Sequence, residues 1–362
     1  MVIGYDAKRA FQNNTGLGNY SRDVIRLMTT FAPEQEYFLF AQPTDKYLFP
    51  HTTTVAPQGM WSLVPSLWRS AGCVKQMRGM DVYHGLSGEL PYGIHRVDVR
   101  KVVTMHDAIF IHYPELYSPT YRWLFAKKVQ YACDVADTII AISEQTKQDL
   151  ITFFHADEKK IRVVYQGCSN IFRDLQAGYD VDALKARYRL PEHYILDVGA
   201  LEPRKNLKNL IRAMAVAHID MPLVAIGAHS KYADEAAVLA QELGVTLLLR
   251  HGVPFKDFPM IYQQAEVLCY PSIFEGFGIP ILEAMCVGTP VLTGTGSCFA
   301  ETGGEAALYA NPDCVEEIGG QLARILTDST LRQEMTAKGY QQAAKFTDEQ
   351  VARNLCRVLL SE

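Results

Sequence analysis

The sequence predicts an α/β protein of two doubly wound domains, and three observations lead there. The chain has 362 residues, a length that suits about two domains. Short β-branched runs closed by Gly, Ser or Asp alternate with longer stretches of helical periodicity. After a polar, irregular segment at 166–192 the alternation starts again. Strand–helix alternation specifies βαβ units on a parallel sheet, and the restart makes two of them.

In the first half the strand-like runs are VIGYDA, EYFLFA, DVYHG, KVVTMHD, DTIIAIS and IRVVYQG. In the second they are YILDVGA, PLVAIGA, VTLLLRHG, VLCYPS, TPVLTG and AALYA. The segment 166–192, with one helical piece (VDALKARY), reads as the interdomain connection. The domains are placed at 1–170 and 171–344, each a Rossmann-like sheet with helices on both faces. Residues 345–362 carry an amphipathic pattern (FTDEQVARNLCRVLL) that suits a closing helix. No repeat of solenoid length is present.

Composition narrows the class. Hydrophobic residues make up 48% and charged residues 21% of the chain, which excludes a disordered protein. No apolar run reaches the ~18 residues of a membrane span. The start, MVIGYDAKRA, reads as a strand and not a signal peptide, so a cytoplasmic location is expected. Eight cysteines without a C-x-x-C pair read as reduced, buried thiols, and neither they nor the histidines show metal-ligand spacing. The net charge of −5 argues against nucleic acid as a partner. Residues 1–170 hold 18 Lys/Arg against 16 Asp/Glu, and the remainder 17 against 24. The more basic first half therefore suits an acidic surface, a membrane included.

Four clusters carry chemistry. In Glu275-Gly-Phe-Gly-Ile-Pro-Ile-Leu-Glu283, Pro280 fits a first helical turn, with Glu275 before the helix and Glu283 inside it. Glycines ahead of a helix N-terminus offer an anion site, and two carboxylates beside it can accept hydrogen bonds from sugar hydroxyls. The bland counterpart is a capped surface helix. Arg204 and Lys205, in Glu202-Pro-Arg-Lys-Asn206 after the strand YILDVGA, would lie at the C-terminal sheet edge, where paired cations suit a diphosphate. A solvated basic turn would look the same. Thr15-Gly-Leu-Gly-Asn-Tyr-Ser21, with Gly16 and Gly18, opens a helix after the first strand but lacks the full G-x-G-x-x-G pattern. His106-Asp107 closes the strand KVVTM, with His84 on a neighbouring strand end. A structural histidine is the alternative there. Ser143 reads as an N-cap. Apolar and basic residues interleave around Trp61, Trp68, Arg69, Lys75 and Arg78. A membrane-surface helix has that pattern, but a core helix with a solvated basic edge is the preferred reading.

In this order and spacing the motifs resemble the retaining glycosyltransferases of family 4, the GT-B group marked by E-x7-E. The resemblance covers nearly the whole chain. It implies two Rossmann-like domains facing across a cleft, the first binding acceptor and the second a nucleotide-sugar, with the closing helix returning to the first. It also implies sugar transfer with retention and without a cofactor or catalytic metal. By position, Glu283 would take the ribose hydroxyls and Glu275 those of the transferred sugar. Phe277, Gly278 and Ile279 would present amides to sugar and diphosphate. Arg204 and Lys205 would neutralise the diphosphate, Gly16 and Gly18 would let the first loop approach it, His106 would sit by the donor sugar, and Val253 would line the base pocket.

One position departs from the family pattern. Ala200 stands after Gly199 where many members carry arginine, leaving the charge to Arg204 or mainly to Lys205. The stretches GALEPRKN, TGLGNYSR and Glu301-Thr-Gly-Gly-Glu-Ala-Ala307 resemble the bacterial mannosyltransferase branch. That implies GDP-mannose as donor and a glycan or polyprenyl-diphosphate-linked acceptor at the inner membrane face, with peripheral membrane contact. A UDP-sugar donor is the alternative within the class, and a nucleotide-sugar epimerase of the same fold the alternative outside it. A dinucleotide oxidoreductase would need the glycine fingerprint that the first turn lacks.

Overall fold

The computed structural model describes residues 1–360 apart from Asp45 and 176–178. Part of the predicted connection and the last two residues of the predicted closing helix thus lie outside the described residues. The chain packs as two units. One comprises Met1–Gln166 with the C-terminal helix Asp348–Leu360, and the other Gly167–Thr347.

The first unit holds a seven-stranded parallel sheet in the order β3-β2-β1-β4-β5-β6-β7. Its strands are β1 (Val2–Asp6), β2 (Glu36–Phe40), β3 (Thr52–Val55), β4 (Val82–Gly85), β5 (Arg100–Met105), β6 (Thr138–Ala141) and β7 (Ile161–Val163). Strand order reverses between β1 and β4, where Ile3 is in register with Val82. The interior of this sheet is apolar because helices cover both faces, and β4 is buried at every position. Among the described residues the one strand without a predicted counterpart is β3, TTTV. It lies at the sheet edge, half exposed, and has no apolar run to betray it.

The second unit holds a six-stranded parallel sheet in the order β10-β9-β8-β11-β12-β13. Its strands are β8 (Ile195–Val198), β9 (Leu223–Ile226), β10 (Leu247–Arg250), β11 (Val267–Tyr270), β12 (Val291–Gly294) and β13 (Ala307–Ala310). Here the order reverses between β8 and β11, with Ile195 opposite Val267. Both β8 and β11 are wholly buried.

Two expectations need correction. The segment 166–192 is not one long connection. The chain changes unit at Gln166/Gly167, and the residues beyond that point pack into the second unit. Phe172 is buried with its ring edge-on to Tyr262. Tyr179 and Tyr188 both donate to Asp257, each at 2.5 Å. The stretch around Trp61 is not a core helix either. It is a 3-10 turn, Gly59–Leu63, followed by the short helix Pro65–Ser70. Trp68 turns inward, stacked on Phe40, and Cys73, Val74 and Met77 of the next 3-10 turn, Gly72–Met77, are buried as well, while Met60, Trp61, Leu63, Val64 and Leu67 stay exposed.

Candidate active site

In a doubly wound sheet the ligand crevice opens outside the C-terminal strand ends where strand order reverses. In the second unit those ends belong to β8 and β11. The turn after β8 carries Arg204 and Lys205, and the loop after β11 carries Ser272 and Glu275. The topology thus brings together two motifs about 70 residues apart in sequence.

Glu275 is the hub. Its Oε1 lies 2.7 Å from Arg204 and 2.5 Å from Lys205. The same oxygen accepts from Ser272 Oγ at 2.5 Å and Tyr270 OH at 2.9 Å. Lys205 also donates to Tyr270 OH. Burial pushes the Glu275 carboxyl up, but Lys205 and Arg204 outweigh it and hold the group at about 2. Two buried cations share this one buried carboxylate. Arg204 has a second partner, Glu202, at 2.7 Å, but that side chain is 43% exposed and screened by water. Asp197 is also buried near Lys205, but burial raises its carboxyl to about 7, so it offsets that charge only in part and the shell suits an anion such as a diphosphate.

The helix Ile279–Cys286 begins at Gly278, whose φ of +87° is a left-handed conformation that glycine adopts without strain. Pro280 stands in the first turn, as its fixed φ allows. Phe277 is buried, and Thr302 donates to its carbonyl. Ser297, with φ +48°, clasps Glu275: it accepts from the Glu275 amide at 3.1 Å and donates to its carbonyl at 2.8 Å. Glu283 lies on this helix, 8% exposed, and accepts from Tyr262 OH at 2.7 Å. Burial raises its carboxyl to about 7, with the Tyr262 bond opposing. Val253 is half-buried just past β10, next to Gly252 at φ +65°.

In the first unit, His106 follows β5 and its Nε2 lies 2.8 Å from Leu86 O. A carbonyl only accepts, so Nε2 carries the proton and Nδ1 keeps a lone pair. Burial lowers the ring to about 4, against the Leu86 hydrogen bond. Tyr20 sets its ring edge-on to His106 at 4.7 Å and bonds Thr104 at 3.0 Å. His84 is fully buried and bonds the same threonine at 2.8 Å. It is a core histidine. The two glycines of the first loop differ. A Cβ on Gly18 would stand 1.9 Å from Asn13 O, so its own loop requires that glycine. A Cβ on Gly16 would meet nothing within 4 Å, so only this position leaves open space beside the helix start. Ser143 caps its helix as predicted, accepting from Thr146 N at 3.1 Å.

Tyr270, Ser272 and Tyr262 were not singled out in the sequence. Tyr270 and Ser272 had a usable signal, a polar Y-P-S at the end of the run VLCYPS. Tyr262 had none, because it approaches Glu283 from a separate helix, Phe258–Gln263. Among the described residues no group of three or more His, Cys, Asp or Glu side chains could hold a metal ion.

Residues 26–169 match the model of glycosyltransferase family 4, and residues 181–342 that of the group 1 glycosyl transferases. The O-antigen chain mannosyltransferase B of Escherichia coli is 31% identical over 281 residues, 74% of this chain and 71% of that protein. The serotype-specific mannosyltransferase WbdA of the same species is 28% identical across 73% of this chain, but the match spans only 34% of WbdA. Among solved structures, sucrose-phosphate synthase from Thermosynechococcus elongatus superposes with a TM-score of 0.80 at 20% identity, covering 99% of this chain and 98% of that one. The lipopolysaccharide glycosyltransferase WaaG does so at 0.73 and 16%, covering all of both chains. These last two likenesses concern the fold, which is GT-B. By its sequence matches the chain belongs to glycosyltransferase family 4, and it is a glycosyltransferase.

Proposed function

We propose that the chain moves mannose from GDP-mannose, with retention at the anomeric carbon and without a catalytic metal, to a glycan or polyprenyl-diphosphate-linked acceptor in surface-polysaccharide synthesis at the inner membrane face. The observation that carries this reading is the Arg204–Glu275–Lys205 cluster at the strand-order reversal of the second sheet. Two cations against one buried carboxylate stabilise a departing nucleoside diphosphate, a task otherwise met by a metal ion. Glu275 would exchange part of its ion pairing for sugar hydroxyls as the diphosphate draws the cations. Glu283 would hold the ribose, the amides of Phe277, Gly278 and Ile279 the sugar and diphosphate, and Val253 the base. In the first unit, the open backbone at Gly16 would suit a phosphate and the His106 Nδ1 lone pair a sugar hydroxyl. The choice of mannose rests on the relatives named mannosyltransferases.

A UDP-sugar donor is the second reading, favoured by the likeness to Anabaena HepE, solved with UDP and glucose (TM-score 0.76, 17% identity). A thermal-shift panel of GDP, UDP, ADP and their sugar conjugates separates the two, because a ligand of the native state raises the midpoint by mass action. A shift with GDP and GDP-mannose alone supports the first reading. A shift with UDP alone replaces the donor. Conversion of donor to an epimer without acceptor would make the chain an isomerase.

A further inference from the structure

The first unit presents apolar side chains to water where a soluble surface would not. From Gln58 to Val64 every residue is exposed, and the run includes Met60 (76%), Trp61 (38%), Leu63 (83%) and Val64 (41%). Leu67, on the next turn, is 61% exposed. Consecutive exposed apolar residues on this scale are a defect unless they serve a contact. A second group stands on the helix Pro119–Val135, where Tyr121, Trp123 and Leu124 are exposed. The two groups are neighbours. Arg69, from the helix Pro65–Ser70, and Lys128, from Pro119–Val135, both bind Glu89 Oε2, at 2.8 and 3.3 Å. Between them Tyr92, itself 43% exposed, donates its amide to Ser70 O and packs its ring, tilted, against Tyr131.

The charge around these residues is one-sided. From Lys46 to Met80 the sequence has no Asp or Glu, while Lys46 and Lys75 are exposed. From Leu116 to Cys133 it again has none, with Arg122, Lys127 and Lys128 present. Nearby, Glu115 is exposed, half-buried Asp107 is offset at Tyr121 by Arg9, and Glu89 and Asp6 are taken up by Arg69 and Lys128. A second copy of the chain is a poor occupant, because a two-fold contact would set these cations against their own copies. An anionic lipid surface meets both requirements at once: headgroups for the cations, and an interface where tryptophan and leucine side chains sit with their apolar parts out of water.

We infer that the surface formed by Met60–Leu67 and the first half of the helix Pro119–Val135 docks the protein onto an anionic bilayer. The inference rests on the lipid-linked acceptor proposed above and names the surface that would deliver the chain to it. No helix among the described residues is long and apolar enough to cross a membrane, so attachment through this surface is peripheral. Each cation close to an anionic leaflet strengthens attachment about fivefold, and salt weakens that part as the screening length contracts.

The experiment is flotation of the full chain with vesicles of equal parts phosphatidylglycerol and phosphatidylcholine, and with phosphatidylcholine alone. The chain is expected to float with the anionic vesicles at low salt and to be largely released at high salt. The triple variant Trp61→Ser, Leu63→Ser, Leu67→Ser changes only exposed positions. It is expected to keep its melting midpoint and lose about tenfold in vesicle affinity. Lys127→Glu, one helical turn from Trp123 on the same helix, should weaken the salt-sensitive part, whereas Lys338→Glu in the second unit should change nothing. Failure of the parent chain to float, or undiminished floating of the triple variant, overturns the inference. So does a dimer in sedimentation that the triple variant breaks, since a second copy would then be the occupant. Nucleotide titration without lipid reads the donor site separately. Its failure would strike the proposed reaction and leave the docking surface standing.

Discussion

Lys205 Nζ lies 2.5 Å from Glu275 Oε1, and the two side chains are only 10% and 11% exposed. Removing one partner of such a buried pair strands the other, at a cost of about 3–5 kcal/mol. Glu275→Gln is therefore expected to destabilise the protein by that order. The folded carboxyl, at about 2, lies below its unfolded value, so its stabilising contribution is whole above pH ~4.5 and fades as pH falls through 2. Urea titrations should show the gap between parent and variant narrowing from pH 7 to pH 3. A constant gap would mean that ionisation of Glu275 is not what stabilises the loop.

Lys205→Ala tests the leaving-group role. Loss of a preorganised group facing developing charge lowers kcat by roughly 10²–10³-fold. The expected outcome is a loss of that size in sugar transfer while the circular-dichroism spectrum stays unchanged. A rate within tenfold of the parent would remove Lys205 from the chemistry.

Tyr270 and Ser272 both donate to Glu275 Oε1. A hydrogen bond to a charged group is worth about 1.5–3 kcal/mol, so Tyr270→Phe and Ser272→Ala should each reduce transfer about tenfold or more. Both hydroxyls serve one oxygen, so the double variant should lose less than the product of the single losses. Full additivity would show that they act independently.

How much of this was legible in the sequence depends on distance along the chain. Every strand among the described residues except β3 announces itself as a local apolar run, whereas the TTTV of β3 holds its place only by pairing with β2, from Tyr37 to Val55. The E-x7-E block and the E-P-R-K-N turn are local patterns and could be read. Their meeting at Glu275 depends on β8 and β11 being neighbours, which no local pattern states. Trp61 was placed inside for the opposite reason. Its stretch has the composition of a core helix, and only the three-dimensional packing puts Trp68, Cys73, Val74 and Met77 inside and leaves Trp61 and its apolar neighbours out. Gly18 looked like a phosphate-loop glycine, but the nearby Asn13 carbonyl is what excludes a side chain.

The C-terminal helix Asp348–Leu360 buries Val351, Leu355 and Leu359 in the first unit. Arg100 closes its end by donating to Val358 O at 2.5 Å, as a cation at a helix C-terminus does. Arg26 holds its start through Asp348 at 2.6 Å. Fully burying a Val or Leu side chain contributes about 1.5–3 kcal/mol, so deletion of 348–362 is expected to destabilise the first unit by roughly 5 kcal/mol or more. Arg100→Ala should lose about 1 kcal/mol. Urea midpoints measure both. A truncated chain as stable as the parent would show that the helix is merely resting on the unit.

Glu283 and Tyr262 make the sharpest pH prediction. A carboxyl that grips ribose hydroxyls must be ionised to accept both hydrogen bonds, and burial has raised this one to about 7. Nucleotide affinity should therefore rise from pH 6 to pH 8, by up to tenfold per unit below the pKa. The Tyr262 hydroxyl, 2.7 Å away, favours the ionised form and so lowers the pKa. Tyr262→Phe removes that donor, and the affinity curve should move to higher pH. His106, lowered to about 4, stays neutral across this window, whereas Asp197, also raised to about 7 by burial, titrates within it, so the shift in Tyr262→Phe is what assigns the profile to Glu283. Calorimetric titration with GDP or UDP at several pH values reads the curve directly. A flat profile in the parent, or a shift to lower pH in Tyr262→Phe, would show that Glu283 is not the ribose acceptor.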